Sequence, residues 1–147
     1  MKPDVLSLIL ADDDMDDCLL FKEALEKLPV PTFLTQVHYG DHLMQWLMTR
    51  TNDLPDAVFL DLNMPRKNGF QCLTEIRQHE KLKFIPIFVI STSYEKEIAD
   101  LLYKNGANYY IRKPNEFSKL RYIVHQALRL LLKFGAAQPP KEKFLLT

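Results

Sequence analysis

Ala57-Val58-Phe59-Leu60-Asp61-Leu62-Asn63-Met64-Pro65, closed by Gly69, is the stretch that decides how this chain folds. Four apolar residues ending on an acid, then Pro and Gly, describe a buried strand that delivers one carboxylate to a loop mouth. Working outward from it, short apolar runs alternate with amphipathic stretches five times. Leu6 to Leu10 reads as the first strand, and Asp16 to Leu28 as a helix with Leu19, Leu20, Ala24 and Leu25 at helical spacing before Pro29. Phe33 to Tyr39 is a weaker, more exposed strand. Asp41 to Arg50 is a helix with Leu43, Met44, Trp46 and Leu47 on its apolar face. After the Val58 to Leu60 strand come a helix over Phe70 to Gln78, a very apolar strand over Pro86 to Ile90, and a helix over Tyr94 to Asn105 stopped by Gly106. Tyr109 to Ile111 is the fifth strand and Glu116 to Phe134 the last helix. Such alternation predicts a parallel sheet with helices on both faces, and continuous apolar strands fit burial on both sides.

The 147 residues fit one domain, and a hydrophobic content of 47% is enough to bury a core at this length. Lys plus Arg and Asp plus Glu are both 19, so nothing marks a nucleic-acid or membrane-surface binder. No apolar run approaches the roughly 18 residues that cross a bilayer, and the N-terminus does not read as a signal peptide. Cys18 and Cys72 lie far apart in helical patterns and read as buried free thiols. These features predict a soluble cytoplasmic protein.

In such a sheet, functional groups collect beyond the carboxyl ends of the strands. Asp12-Asp13-Asp14 follows the first strand, Asp61 ends the third, Ser91 follows the fourth, and Lys113-Pro114 follows the fifth. Several carboxylates brought together cannot all stay ionised without a cation between them. A hard divalent ion such as Mg2+, which takes oxygen ligands, resolves that. Asp12, Asp13 and Asp61 can supply carboxylates, and Asn63 a backbone carbonyl. Lys113 can hold a phosphoryl oxygen as a point charge and Ser91 can donate a hydroxyl to another, while a carboxylate attacking phosphorus gives an aspartyl phosphate. Each piece also has a plain reading. Acids before a helix cap it and compensate its dipole, which accounts well for Asp14, Asp16 or Asp17 and less well for Asp12 and Asp13. His38, His42, His79 and His125 do not fall on metal-ligand spacing and read as surface or capping residues.

The ordered set Leu8-Ile9-Leu10-Ala11-Asp12-Asp13-Asp14, Leu60 to Pro65 with Gly69, Pro86 to Ser91, and Gly106 to Pro114 resembles the receiver domain of two-component response regulators. The resemblance spans about Leu6 to Leu132. It implies an α/β, flavodoxin-like (βα)5 three-layer sandwich with sheet order 2-1-3-4-5, covering residues 1–134 and followed by a tail over 135–147. It implies that Asp61 is the phospho-acceptor and that Asp12 and Asp13 form the acid pair, Asp13 being the more direct metal ligand. With Asp61 and the Asn63 carbonyl they would hold Mg2+, and Ser91 and Lys113 would complete the site. It further implies a cis peptide at Lys113-Pro114, and a switch in which Ser91 is drawn inward on phosphorylation and Tyr110 rotates in behind it. Tyr94, Ile98, Tyr110 and Tyr122 are then candidates for the signalling surface. Ser91 stands where the family more often has Thr, and Thr92 where it often has a smaller residue.

The chain is therefore expected to be a phosphorylation-dependent switch, not an enzyme in its own right, although it assists its own phosphotransfer and autodephosphorylation. A pseudo-receiver that never takes phosphate is an alternative, but Asp61, the acid pair and Lys113 are all present. A phosphatase of the haloacid dehalogenase type is a weaker one, because it needs a second acid where Asn63 stands. With about a dozen residues after the last helix, no output domain is expected, and signalling would run through protein contacts. A histidine kinase is the implied donor, with a phosphotransfer protein or a target protein downstream. Gln78 to Phe84 and Ile90 to Ser93 are similar to stand-alone regulators that pair with bacteriophytochrome-type kinases. The apolar end Phe144-Leu145-Leu146 is open to two readings, a homodimer contact or packing on its own domain.

Overall fold

The computed structural model describes residues 5–50 and 52–147. Its elements alternate as β1 (Leu6–Ala11), α1 (Met15–Glu26), β2 (Thr32–Val37), α2 (Gly40–Met48), β3 (Ala57–Asp61), α3 (Gly69–Gln78), β4 (Ile87–Ser91), α4 (Lys96–Lys104), β5 (Tyr109–Arg112) and α5 (Phe117–Phe134). A single 3-10 turn (Lys141–Lys143) then leads into a short strand, β6 (Leu145–Leu146). Every strand pairing is parallel and the sheet order is β2-β1-β3-β4-β5-β6. The expected flavodoxin-like order thus stands, with one strand added by the C-terminal segment.

β3 and β4 are buried along their whole length, because helices cover both faces of the sheet. On one face Ile9, Val58, Leu60, Ile87 and Val89 pack with Leu43, Leu47, Leu73, Ile76 and Leu102 from α2, α3 and α4. On the other, Leu8, Leu10, Phe59, Phe88 and Ile111 pack with Phe21, Leu25, Val124, Ala127 and Leu128 from α1 and α5. Phe59, Phe88 and Tyr109 stack across three neighbouring strands with ring centroids 4.8 and 5.3 Å apart, an arrangement that pins strand register through aromatic contact. β2 is the less buried strand, as its weak alternation predicts.

Helix ends follow their local chemistry. Asp14 accepts hydrogen bonds from the N–H groups of Asp16 and Asp17 and starts α1. Asn68 and Gln71 form a reciprocal capping box at α3. Gly106, at φ +97°, takes the left-handed conformation just beyond α4. α4 begins at Lys96, two residues later than its apolar pattern suggests, because Glu95 is extended. Cys18 and Cys72 are buried free thiols. Among the described residues there is no cis peptide bond, which corrects the expectation at Lys113-Pro114. Proline weakens the trans preference without reversing it.

The C-terminal segment packs on its own domain. Phe144 and Leu146 are buried, one on each face of the sheet, and the Tyr110 N–H donates to the Phe144 carbonyl at 2.9 Å. Asn108 donates to the Ala136 carbonyl, Gln138 to the carbonyls of Tyr103 and Ala107, and Tyr103 to that of Pro139. Lys141 pairs with Asp100 on α4. No helix among the described residues is long and apolar enough to cross a membrane.

Candidate functional site

The sheet order places β1 centrally, with the chain running from it first to β2 on one side and then to β3 on the other. The carboxyl ends of β1 and β3 therefore flank the point where strand order reverses, the usual position of a ligand crevice in such sheets. Ala11 lies beside Leu60, Asp61 beside Ile90, and Ser91 beside Arg112. Parallel register thus brings Asp12, Asp61, Ser91 and Lys113 to one rim.

Asp12 is almost fully buried at 1% exposure and Asp61 at 6%, an expensive place for two carboxylates. Lys113 holds them. Its Nζ lies 2.8 Å from Asp12 Oδ2, 2.9 Å from Asp17 Oδ2 and 3.8 Å from Asp61 Oδ2. Main-chain donors add support: the Asp14 N–H donates to Asp12 Oδ1 at 3.0 Å and the Asn63 N–H to Asp61 Oδ1 at 3.3 Å. Burial pushes the Asp61 carboxyl up from its ordinary 3.8 to about 7, against the pull of Lys113 and with a further push from Asp12. Burial alone would lower Lys113, but its hydrogen bonds to Asp12 and Asp17 outweigh that and raise it.

Asp12, Asp13 and Asp61 each offer a carboxylate oxygen, and these atoms lie within 4.8 Å of one another. Asp13 is exposed while the other two are buried, so the cluster is open to solvent on one side. An all-oxygen donor set of this kind suits a hard divalent cation that keeps several waters. Asn63, whose carbonyl is the fourth candidate ligand, sits in the same loop and is exposed.

Ser91 is buried at 1% exposure. Its Oγ accepts the Ser93 N–H at 3.3 Å. Tyr110, also buried, donates its hydroxyl to the Ser93 carbonyl and meets Tyr94 edge-on at 5.4 Å. Of the residues expected on the signalling surface, Tyr94, Ile98 and Tyr122 are exposed, whereas Tyr110 points into the core beside Phe144.

Two contributors to the rim escape a reading of the sequence. Asp17, which reads as a helix-start acid, reaches across to Lys113 while Asp14 does the capping. His38, which reads as a surface residue, places Nδ1 3.0 Å from the Asp12 carbonyl. A carbonyl only accepts, so Nδ1 carries the proton there. Cys18 Sγ donates to the same carbonyl, fixing the loop that bears the acids. His38 directly follows β2, which is its one cue in the sequence, whereas Asp17 lies inside α1 and carries none.

A family model for the response regulator receiver domain matches residues 8–125. The response regulator Rcp1 of a Synechocystis strain is 29% identical over 121 residues, covering 80% of this chain and 82% of that protein. Among solved structures, that of the phosphorylated cyanobacterial phytochrome response regulator RcpA superposes with a TM-score of 0.78 at 32% identity, covering 92% of this chain and 99% of the other. The Mn(2+)-bound form of Rcp1 does so with a TM-score of 0.77 at 26% identity, with the same coverage.

Proposed function

This chain belongs to the response regulator receiver domain family, and we propose that it is a phosphorylation-dependent switch that takes a phosphoryl group from a histidine kinase onto Asp61. The observation that carries this reading is the convergence of Asp12, Asp13, Asp61, Ser91 and Lys113 on one rim, with Lys113 bridging the buried acids. In the transfer, an Asp61 carboxylate oxygen attacks phosphorus, an O–P bond forms, and the P–N bond to the donor histidine breaks. The departing imidazole takes up a proton. The nucleophile must be ionised, and burial opposes ionisation, so positive charge beside Asp61 is a requirement of the chemistry.

Mg2+ is the cation we assign to Asp12, Asp13, Asp61 and the Asn63 carbonyl, where it would neutralise charge between the carboxylates and an anionic donor. Lys113 would take one phosphoryl oxygen and Ser91 another, which would orient the group without forming bonds to phosphorus. The chain thereby assists its own phosphorylation, and attack of water on the same acyl phosphate reverses it. The proteins it resembles include phytochrome response regulators, and a phytochrome-type kinase in the cytoplasm is the donor we assign. A phosphotransfer protein, a target protein or a second copy would receive the signal through exposed residues such as Tyr94, Ile98 and Tyr122.

Intact mass after incubation with acetyl phosphate and Mg2+ tests the reading. One phosphoryl adduct is expected, absent from Asp61→Asn and from an EDTA control. A folded, Mg2+-binding protein that never gains the adduct would overturn it in favour of a pseudo-receiver.

A further inference from the structure

We propose that the C-terminal segment is a positioning device for Ser91, so that docking of Phe144 and occupancy of the phosphoryl site favour one another. This rests on the reading of Asp61 as phospho-acceptor. The observation behind it is a continuous series of contacts from the tail to the rim. Phe144 is buried against Tyr103 and Tyr110, with ring centroids 5.2 and 6.4 Å apart. Its carbonyl accepts the Tyr110 N–H. The Tyr110 hydroxyl donates to the Ser93 carbonyl, and the Ser93 N–H donates to Ser91 Oγ. Ser91 shares the rim with Asp61.

The sign follows from the donors. Ser91 Oγ accepts the Ser93 N–H at 3.3 Å and lies 3.4 Å from Ser93 Oγ, a contact long enough to give way when the Ser91 proton is offered to a phosphoryl oxygen. A hydroxyl that donates to an anion becomes a better acceptor. Its bond to Ser93 then tightens, the Ser93 carbonyl is held more firmly for Tyr110, and the wall against which Phe144 packs is more rigid. By linkage, a seated tail must raise affinity at the phosphoryl site by the same factor. The tail is built to stay seated. Tyr103 holds the Pro139 carbonyl at 2.8 Å, Gln138 holds the Tyr103 and Ala107 carbonyls, and Lys141 pairs with Asp100. These contacts sit on α4 and the turn after it, outside the acid cluster, so the tail can act on the site through Ser91 and not through the metal ligands.

Beryllofluoride affinity in saturating Mg2+, measured on the full chain, reads the coupling. Phe144→Ala is expected to weaken it about 5- to 30-fold, within the usual range of coupling between sites. Tyr103→Phe, which only frees the Pro139 carbonyl, is expected to weaken it about 2- to 5-fold and guards against a variant that fails to fold. In a Ser91→Ala background, Phe144→Ala should have little further effect, whereas a merely structural role for Phe144 would give additive losses. Unchanged or tighter binding in both tail variants, or full additivity with Ser91→Ala, would overturn the proposal. If the parent chain binds no beryllofluoride, the phospho-acceptor reading falls. The contact series is then judged on the ligand-free protein: Ser91→Ala should speed hydrogen exchange of the Tyr110 amide, and an unchanged rate would sink the coupling by itself.

Discussion

Replacing Asp61 by Asn, the substitution that abolishes the proposed chemistry, should stabilise the metal-free fold, increasingly so as pH rises. In the folded chain the Asp61 carboxyl sits at about 7 against an ordinary 3.8, because the buried site favours its neutral form. A raised carboxylate contributes least penalty at low pH, where it is protonated in both states. Stability is then lost as pH climbs from about 4 to about 7, since ionisation is easier in the unfolded chain. Roughly three pH units at 1.36 kcal/mol each give about 4 kcal/mol as the full penalty above pH 7. About a third of it is already present at pH 5. Asn keeps the shape and discards the charge. In EDTA, urea unfolding of Asp61→Asn and the parent should therefore show a gap in favour of the variant that grows by about 2.5 kcal/mol between pH 5 and pH 8. Mg2+, which on the proposed reading binds the parent, should narrow the gap. A gap that stays flat across that range, or a variant less stable than the parent at pH 8, would refute the electrostatic account of the site.

Lys113→Ala leaves Asp12 and Asp61 buried with no ammonium between them. Loss of about 3–5 kcal/mol is expected in EDTA, part of it restored by Mg2+. Urea midpoints check this, and a cost below about 1 kcal/mol would mean that solvent already screens the pair. Gly69→Ala should cost about 1–3 kcal/mol and slow phosphorylation. Its Cβ would lie 2.4 Å from the Asp61 carbonyl oxygen and 2.9 Å from Leu62 Cα, so the clash is with main chain that carries Asp61. Thermal melting and a time course of adduct mass test it, and no change in either would show that this loop has slack.

The fold was legible because its signals are local. Five apolar strands, each closed by a polar residue or a turn, separated by helices with caps and stops, leave few alternatives to a parallel three-layer sheet. The rim was legible for the same reason: what stands at a strand's carboxyl end must stand near the other strand ends. Asp12, Asp61, Ser91 and Lys113 could be placed together from strand order alone. Asp17 and His38 could not. The Asp17–Lys113 bond joins residues 96 positions apart, and the His38–Asp12 contact depends on how β2 lies against β1. Nothing in the neighbouring residues of either announces its partner. Tyr110 was expected to move inward only on phosphorylation, yet it is buried against a residue more than thirty positions later, again a pairing without a local mark.

The sixth strand shows most clearly what a local reading leaves out. Two residues are too few to carry a period, and Pro139-Pro140 and Lys141-Glu142-Lys143 before them read as solvated chain. Only the apolar end Phe144-Leu145-Leu146 hinted at burial. Its consequence is large because the two edges of the sheet now differ. Among the described residues β2 keeps an open edge, with Phe33 65% exposed, whereas β5 is paired on both sides, to β4 and to β6. A strand paired on one side can tilt or slip, and a strand paired on both cannot without breaking a ladder. β5 carries Tyr110, so the tail fixes from outside the strand whose tyrosine holds the Ser93 carbonyl beside Ser91.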